Sequence, residues 1–142
     1  YYLTCSLLSD GTVNCWGWNE YGTLGDGTTV MKSTPVAVSS LTGALAVAGG
    51  SYHTCSLLSD GTVKCWGWNI VGQLGDGTLA DMTTPVAVSG LSGSVAVAAG
   101  SYHTCSLLSD GTVKCWGRND IGELGDGTKI HRFTPVQVLG LP

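Results

Sequence analysis

The sequence predicts an all-β protein, built as an array of near-equal units of short antiparallel strands, and three observations carry that prediction. The stretch from Ser51 to Gly67, SYHTCSLLSDGTVKCWG, returns unchanged at 101–117 and nearly unchanged from Tyr2 to Gly17, each time at an offset of fifty residues. A period of that length marks a repeat architecture in which no unit buries its own core alone. The chain carries 22 glycines and almost no helical run, which favours strands and turns. Within each unit, extended alternation flanks a Ser-Asp-Gly turn, the signature of a hairpin. The units run 1–50, 51–100 and 101–142 as one continuous array.

In the first unit, Tyr2 to Leu8 reads as a strand, Ser9-Asp10-Gly11 as a tight loop and Thr12 to Trp18 as the returning strand. Two registers compete. A two-residue Asp-Gly turn places Cys5 opposite Trp16, whereas a three-residue loop with a left-handed Gly11 places Cys5 opposite Cys15 as a closely approaching, non-hydrogen-bonded pair. Asn19 to Thr28 follows as a connector of turns, broken by Gly22, Gly25 and Gly27. Thr34 to Val38 resumes the extended alternation, with Pro35 expected at the first strand position. The run of small residues Ala44 to Gly49, repeated as Ser94 to Gly100, marks a strand where backbones crowd together, as near the axis of a ring of blades. Four strands per unit result. The first unit lacks its small-residue strand and the third stops at Pro142 before the next one, so the blade faces at both ends require more chain or further copies to cover them.

Six cysteines, Cys5, Cys15, Cys55, Cys65, Cys105 and Cys115, fall two to a unit. Pairing within each unit uses all six, and each bridge then contributes roughly 2.5 to 3 kcal/mol on the chain-entropy model. Bridges imply an oxidising compartment: extracellular, cell-surface or periplasmic. Buried free thiols are a second reading. A metal held by His53, Cys55 and Cys65 is a third, weakened by Leu3 standing where the other units have His53 and His103. The histidines read as strand side chains hydrogen-bonded within their blade.

Charged residues make up only 11% of the chain and the net charge is −4, so a basic patch for nucleic acid is absent. No run of eighteen apolar residues is present to span a membrane as a helix, and the first residues do not have the pattern of a signal peptide. No nucleophile is paired with a base and no two carboxylates form a pair outside turn positions, so an enzyme, a cofactor and a metal site are not expected. Asp26-Gly27-Thr28 and its copies read as turns.

The second and third units agree at about thirty of forty-two positions, and their differences gather at 68–73 against 118–123 and at 79–83 against 129–133. Clustered variation in a repeat array maps to loops, often on the binding face. Met31, Lys32, Met82, Arg132 and Phe133 are therefore candidate binding-loop residues. Trp16, Trp66 and Trp116 recur in place and are expected to fill the space between units. Trp18 and Trp68 give way to Arg118 in the third unit, so this position lies near the surface and is a candidate for stacking on sugars or anchoring a protein.

Gly100, His103, Asp110-Gly111, Trp116-Gly117, Asn119, Gly122, Leu124 and Gly125, recurring across the units, give the chain a resemblance to the regulator of chromosome condensation repeat family over its whole length. The paired cysteines look like the variant found in secreted bacterial proteins and plant receptor ectodomains. The resemblance implies a β-propeller of four-stranded blades, usually seven to a ring, of which three units form a partial ring. Members of the family include a nuclear exchange factor that holds chromatin and a secreted inhibitor that covers an enzyme with its loops. A rigid module binding a protein partner through variable loops is the expected function. The alternatives are a structural subunit of a surface layer, filament or accessory shell that joins further copies of itself, and a glycan-binding module using Trp18 and Trp68.

Overall fold

The computed structural model describes residues 2–141; Tyr1 and Pro142, at the limits of the first and third units, lie outside the described residues. Eleven strands and no helix occur among the described residues. They are β1 (Leu3–Leu7), β2 (Val13–Gly17), β3 (Lys32–Ala37), β4 (Ala44–Gly49), β5 (His53–Leu58), β6 (Val63–Gly67), β7 (Met82–Ala87), β8 (Ser94–Ala99), β9 (His103–Leu108), β10 (Val113–Gly117) and β11 (Arg132–Gln137). Three antiparallel sheets result, ordered β1-β2-β3, β4-β5-β6-β7 and β8-β9-β10-β11, and they do not close into a ring. Each small-residue strand hydrogen-bonds to the hairpin that follows it, so β4 opens the second sheet and β8 the third.

The hairpins take the three-residue loop. Leu8 N donates to Thr12 O and Gly11 N to Leu8 O, with Gly11 at a φ of 79°, and Cys5 stands opposite Cys15. Asp10 selects this turn by accepting from the Thr12 backbone N at 3.0 Å and hydroxyl at 2.6 Å. The facing cysteines, with Cα atoms 4.0 to 4.1 Å apart, are joined as Cys5–Cys15, Cys55–Cys65 and Cys105–Cys115. That bonding removes both the free-thiol and the metal readings.

Pro35 corrects one expectation. The third strand starts at Lys32, so the proline sits in its interior rather than at its first position. β3 is the outer edge of its sheet, and its pairing to β2 shifts register between Cys15 and Gly17, so no ladder partner is lost where the proline has no N–H.

The core lies between sheets rather than within one. Val13, Cys15, Leu24, Val38 and Leu41 from the first unit pack with Ala44, Leu58 and Trp66 from the second sheet. Cys55, Leu57, Val63, Cys65, Leu74, Val88 and Leu91 repeat the arrangement with Leu108 and Trp116. Trp66 and Trp116 are completely buried, whereas Trp16, which has no preceding sheet, is only half-buried. The Trp66 indole N–H donates to Thr23 O at 2.9 Å and the Trp116 indole N–H to Gln73 O at 3.0 Å. Each joint thus locks the connector of one blade onto the tryptophan of the next.

Gly25 and Gly75 make these joints possible. Both adopt positive φ, and a Cβ at Gly75 would lie 2.6 Å from the Trp116 indole nitrogen. Gly111, at a similar φ of 87°, has nothing within 4 Å of where a Cβ would stand. Gly111→Ala is therefore expected to lose only the backbone cost, about 1 to 2 kcal/mol, while Gly75→Ala adds an overpacking term of about 1 to 3 kcal/mol. Guanidinium denaturation of the two variants measures the difference; equal losses would mean that the indole has room to move.

Candidate functional site

A buried asparagine organises each connector. The Asn19 side chain accepts from Leu24 N at 2.9 Å and donates to Thr28 O and Val30 O, both at 3.0 Å. Asn69 and Asn119 repeat these bonds in their own connectors. Asp26 accepts from Thr28 N at 3.0 Å and makes the Asp-Gly-Thr segment a turn. In the third connector the Thr128 hydroxyl, donating at 2.8 Å, together with Arg132, the Thr128 backbone N and Asn119, holds the Asp126 carboxyl well below its usual range. The first two connectors then dock on the outer strand of the next blade, Gly27 N donating to Thr83 O and Gly77 N to Phe133 O. The variable segments 68–73 and 129–133 therefore meet across the second joint, Gly72 lying against Phe133, as Gly22 lies against Thr83 at the first.

The predicted binding-loop residues divide by environment. Met31 is exposed and Phe133 partly so, the latter leaning over Gly72. Met82 packs against the core between the second and third sheets. Lys32 lies 3.9 Å from Asp26, and Arg132 pairs with Asp126 at 2.7 Å, so both cations are tied to their own connector. Further exposed apolar side chains, Val30, Ile70, Leu79, Ile121 and Ile130, stand in or beside the same segments.

Trp18, Trp68 and Arg118 belong to a second feature, an aromatic ladder that crosses both joints. Trp18 meets Tyr52 edge-on at 5.5 Å, Tyr21 stacks on Trp68 at 5.3 Å, Tyr52 stacks on Tyr102 at 5.5 Å, and Trp68 meets Tyr102 at 5.7 Å. The Arg118 guanidinium closes the ladder 5.4 Å above the Tyr102 ring. All six side chains are half-buried. Sequence reasoning missed Tyr21, Tyr52 and Tyr102. The signal was the recurrence of tyrosine at positions 2, 52 and 102, but contacts between rings some thirty or fifty positions apart become visible only when the blades are stacked.

His53 corrects another expectation, because its partner lies in the neighbouring blade rather than its own. Thr104 Oγ1 donates its only proton to Gln73 O at 2.9 Å, so the His53 Nε2–H must donate to Thr104 Oγ1, at 2.8 Å. His53 Nδ1 is then left buried without a partner, as is Gln73 Nε2 at the same joint. Burial, followed by the nearby His103, holds the imidazole down at about 3. Among the described residues no cluster of His, Cys, Asp or Glu is arranged to hold a metal ion.

Comparison with known proteins agrees with this geometry. A family model described as the regulator of chromosome condensation (RCC1) repeat matches residues 10–57, 60–107 and 110–142, and a second with the same description matches 45–73 and 95–122. No curated protein sequence matches the chain. Prp20p from Saccharomyces cerevisiae, characterised with its binding properties to Gsp1p and histones, superposes with a TM-score of 0.86 at 19% identity, covering 96% of this chain and 36% of that one. Human WBSCR16 gives 0.86 at 23% identity, covering 99% and 37%. The ectodomain of the Arabidopsis thaliana receptor kinase ACR4 gives 0.50 at 23%, covering 96% and 35%. The chain spans little more than a third of each of these proteins.

The His53 arrangement has a signed consequence for stability. Its folded value lies below the unfolded 6.5, so the unfolded chain binds the extra proton and His53 contributes stability above about pH 6.5 that is lost as pH falls toward 3. The loss at pH 3 is on the order of 4 kcal/mol. His53→Leu, the residue type found at the equivalent Leu3, should flatten the stability profile across that window. Denaturant midpoints at a series of pH values test this, and a variant profile parallel to the parent's would contradict it.

Proposed function

Because this chain belongs to the regulator of chromosome condensation repeat family, we propose that it is a non-enzymatic propeller segment of an extracytoplasmic protein and binds a protein partner through its connector loops. One observation carries the reading: the segments that differ between repeats are also those that present exposed apolar side chains. Ile121 is 76% exposed, Met31 63%, Ile130 62% and Ile70 56%. Exposed apolar groups on variable loops are typical of an interaction surface, and Leu45, Val95 and Leu139 are comparably exposed outside these loops. The loops are held from behind by Asn19, Asn69, Asn119 and the docking bonds to Thr83 and Phe133. Preorganisation of this kind lowers the ordering entropy lost on binding. The three disulfides support a compartment outside the reducing cytoplasm.

A structural role joining copy to copy is favoured by a different feature. The outward side of the third sheet has an apolar cavity of about 220 Å³ lined by Ala96, Val97, Ala98, Leu107 and Val113, where the inner joints have a neighbouring blade.

The loop reading is tested by replacing residues 79–83 with the sequence of 129–133, keeping the core-packed Met82, and comparing cross-linked proteins from an extracellular fraction between parent and chimaera. A changed set of cross-linked proteins with an unchanged thermal midpoint is expected. Identical sets would remove these loops from recognition.

A further inference from the structure

The two joints share the indole bond to the connector carbonyl, and differ in the ladder and in the pair His53 and Gln73, which replace Leu3 and Thr23. At the first joint the Tyr21 ring lies on Trp68 with only 21° between planes and fills the space between Trp18 and the second blade. At the second joint Val71 takes the place of Tyr21, and Arg118 the place of Trp68. The lost ring leaves a cavity of about 240 Å³ lined by Trp68, Val71, Tyr102, Arg118, Asp120 and His131. Both unpaired buried nitrogens among the described residues, His53 Nδ1 and Gln73 Nε2, belong to this joint as well.

The polar groups of the cavity define what it can accept. Arg118 Nε and Nη2 donate to the two oxygens of Asp120 at 2.7 and 2.8 Å, leaving Nη1 free to donate and the second lone pairs of Asp120 free to accept. Glu123 stands 3.6 Å from the same guanidinium, so two carboxylates surround one cation and an anionic ligand is not favoured. A cationic ligand would compete with Arg118 for the Tyr102 face, which the guanidinium already occupies. His131 Nδ1 accepts from Asn119 N at 2.9 Å, so its Nε2 is a donor. The cavity thus combines two aromatic walls, an apolar floor at Val71, and adjacent donors and acceptors with no excess of positive charge. A ligand with an apolar face and neighbouring hydroxyl groups satisfies all of these at once.

The geometry points to a binding site for a neutral pyranose sugar at the second blade joint, with its C–H face against Trp68 and Tyr102 and vicinal hydroxyls on the Arg118–Asp120 pair. The size fits one ring, below the roughly 300 Å³ at which drug-sized pockets begin. The site lies within the variable segments 68–73 and 118–123 and shares His131 with 129–133, but none of its lining side chains is among the exposed Met31, Ile70, Ile121 and Ile130 assigned to a protein partner.

The probe is a panel of methyl pyranosides of glucose, galactose and mannose and short N-acetylglucosamine oligomers, followed by saturation-transfer NMR and tryptophan fluorescence on the oxidised chain. At least one member is expected to bind at millimolar concentration, with saturation strongest on the ring C–H protons. Val71→Tyr, which restores the side chain of the first joint, should weaken binding at least tenfold while keeping the thermal midpoint. Asp120→Ala removes the exposed acceptor together with its pairing to Arg118 and should weaken binding by a similar factor, which keeps the test decisive if the tyrosine disturbs folding. Absence of saturation transfer from the whole panel at tens of millimolar, or undiminished binding in both variants, would overturn the proposal. Neither result bears on the loop chimaera, which reads protein recognition alone.

Discussion

The indole N–H of Trp66 on Thr23 O, repeated by Trp116 on Gln73 O, is the constraint on which the rest of the structure depends. A single three- or four-stranded sheet of this size has two faces to cover and too little apolar surface to cover either by itself. Donating from the hairpin of one blade to the connector of the previous one solves this for both. The indole fills the gap with a large apolar body, and its one polar atom finds a backbone acceptor away from water. The acceptor carbonyl is shared, since Thr54 and Thr104 hydroxyls reach the same Thr23 and Gln73 oxygens at 3.0 and 2.9 Å. Two donors on one carbonyl fix the angle as well as the distance between blades.

From that joint the other features follow. The connector must present a carbonyl at a set position, which is why a fully buried asparagine ties its two ends together and glycines line its approach to the indole. Ordering the connector against the next blade also orders the loops that leave it, so exposed residues such as Met31 and Ile130 stand on a rigid base. The disulfides contribute where the joint cannot. They pin the hairpin that carries the tryptophan, with Cys15, Cys55 and Cys65 buried in the inter-blade cores. The ladder of Trp18, Tyr21, Tyr52, Trp68 and Tyr102 runs beside the buried joints at the half-exposed margin, where substitutions at 71 and 118 alter the surface without disturbing the core.

Much of this is legible in the letters because it is local. The Ser-Asp-Gly turn, the left-handed glycine and the ten-residue cysteine spacing are solved within a hairpin, which brings the register and the bridges within reach of chain geometry. The space-filling role of Trp66 and Trp116 follows from the recurrence of tryptophan at this position, while Trp16 stays half-buried. What escapes sequence reasoning is what depends on stacking one unit upon another. The partner of His53 is fifty-one positions away, the Tyr21–Trp68 stack joins two different units, and the ties of Lys32 and Arg132 to Asp26 and Asp126 depend on the path of the connector. Pro35 falls inside its strand because an edge position, which the sequence does not mark, relaxes the rule that confines proline to a strand's start.

Hydrogen exchange of the three indole N–H groups, resolved by NMR on the oxidised chain, tests the blade joint most directly. Trp66 and Trp116 should exchange only through global unfolding, with protection that tracks denaturant stability, while the half-exposed Trp16 indole should exchange through small local openings. Equal and rapid exchange at all three would mean that the indoles do not hold the blades together, and the rigid base of the loops, the ladder and the cavity would fall with that result.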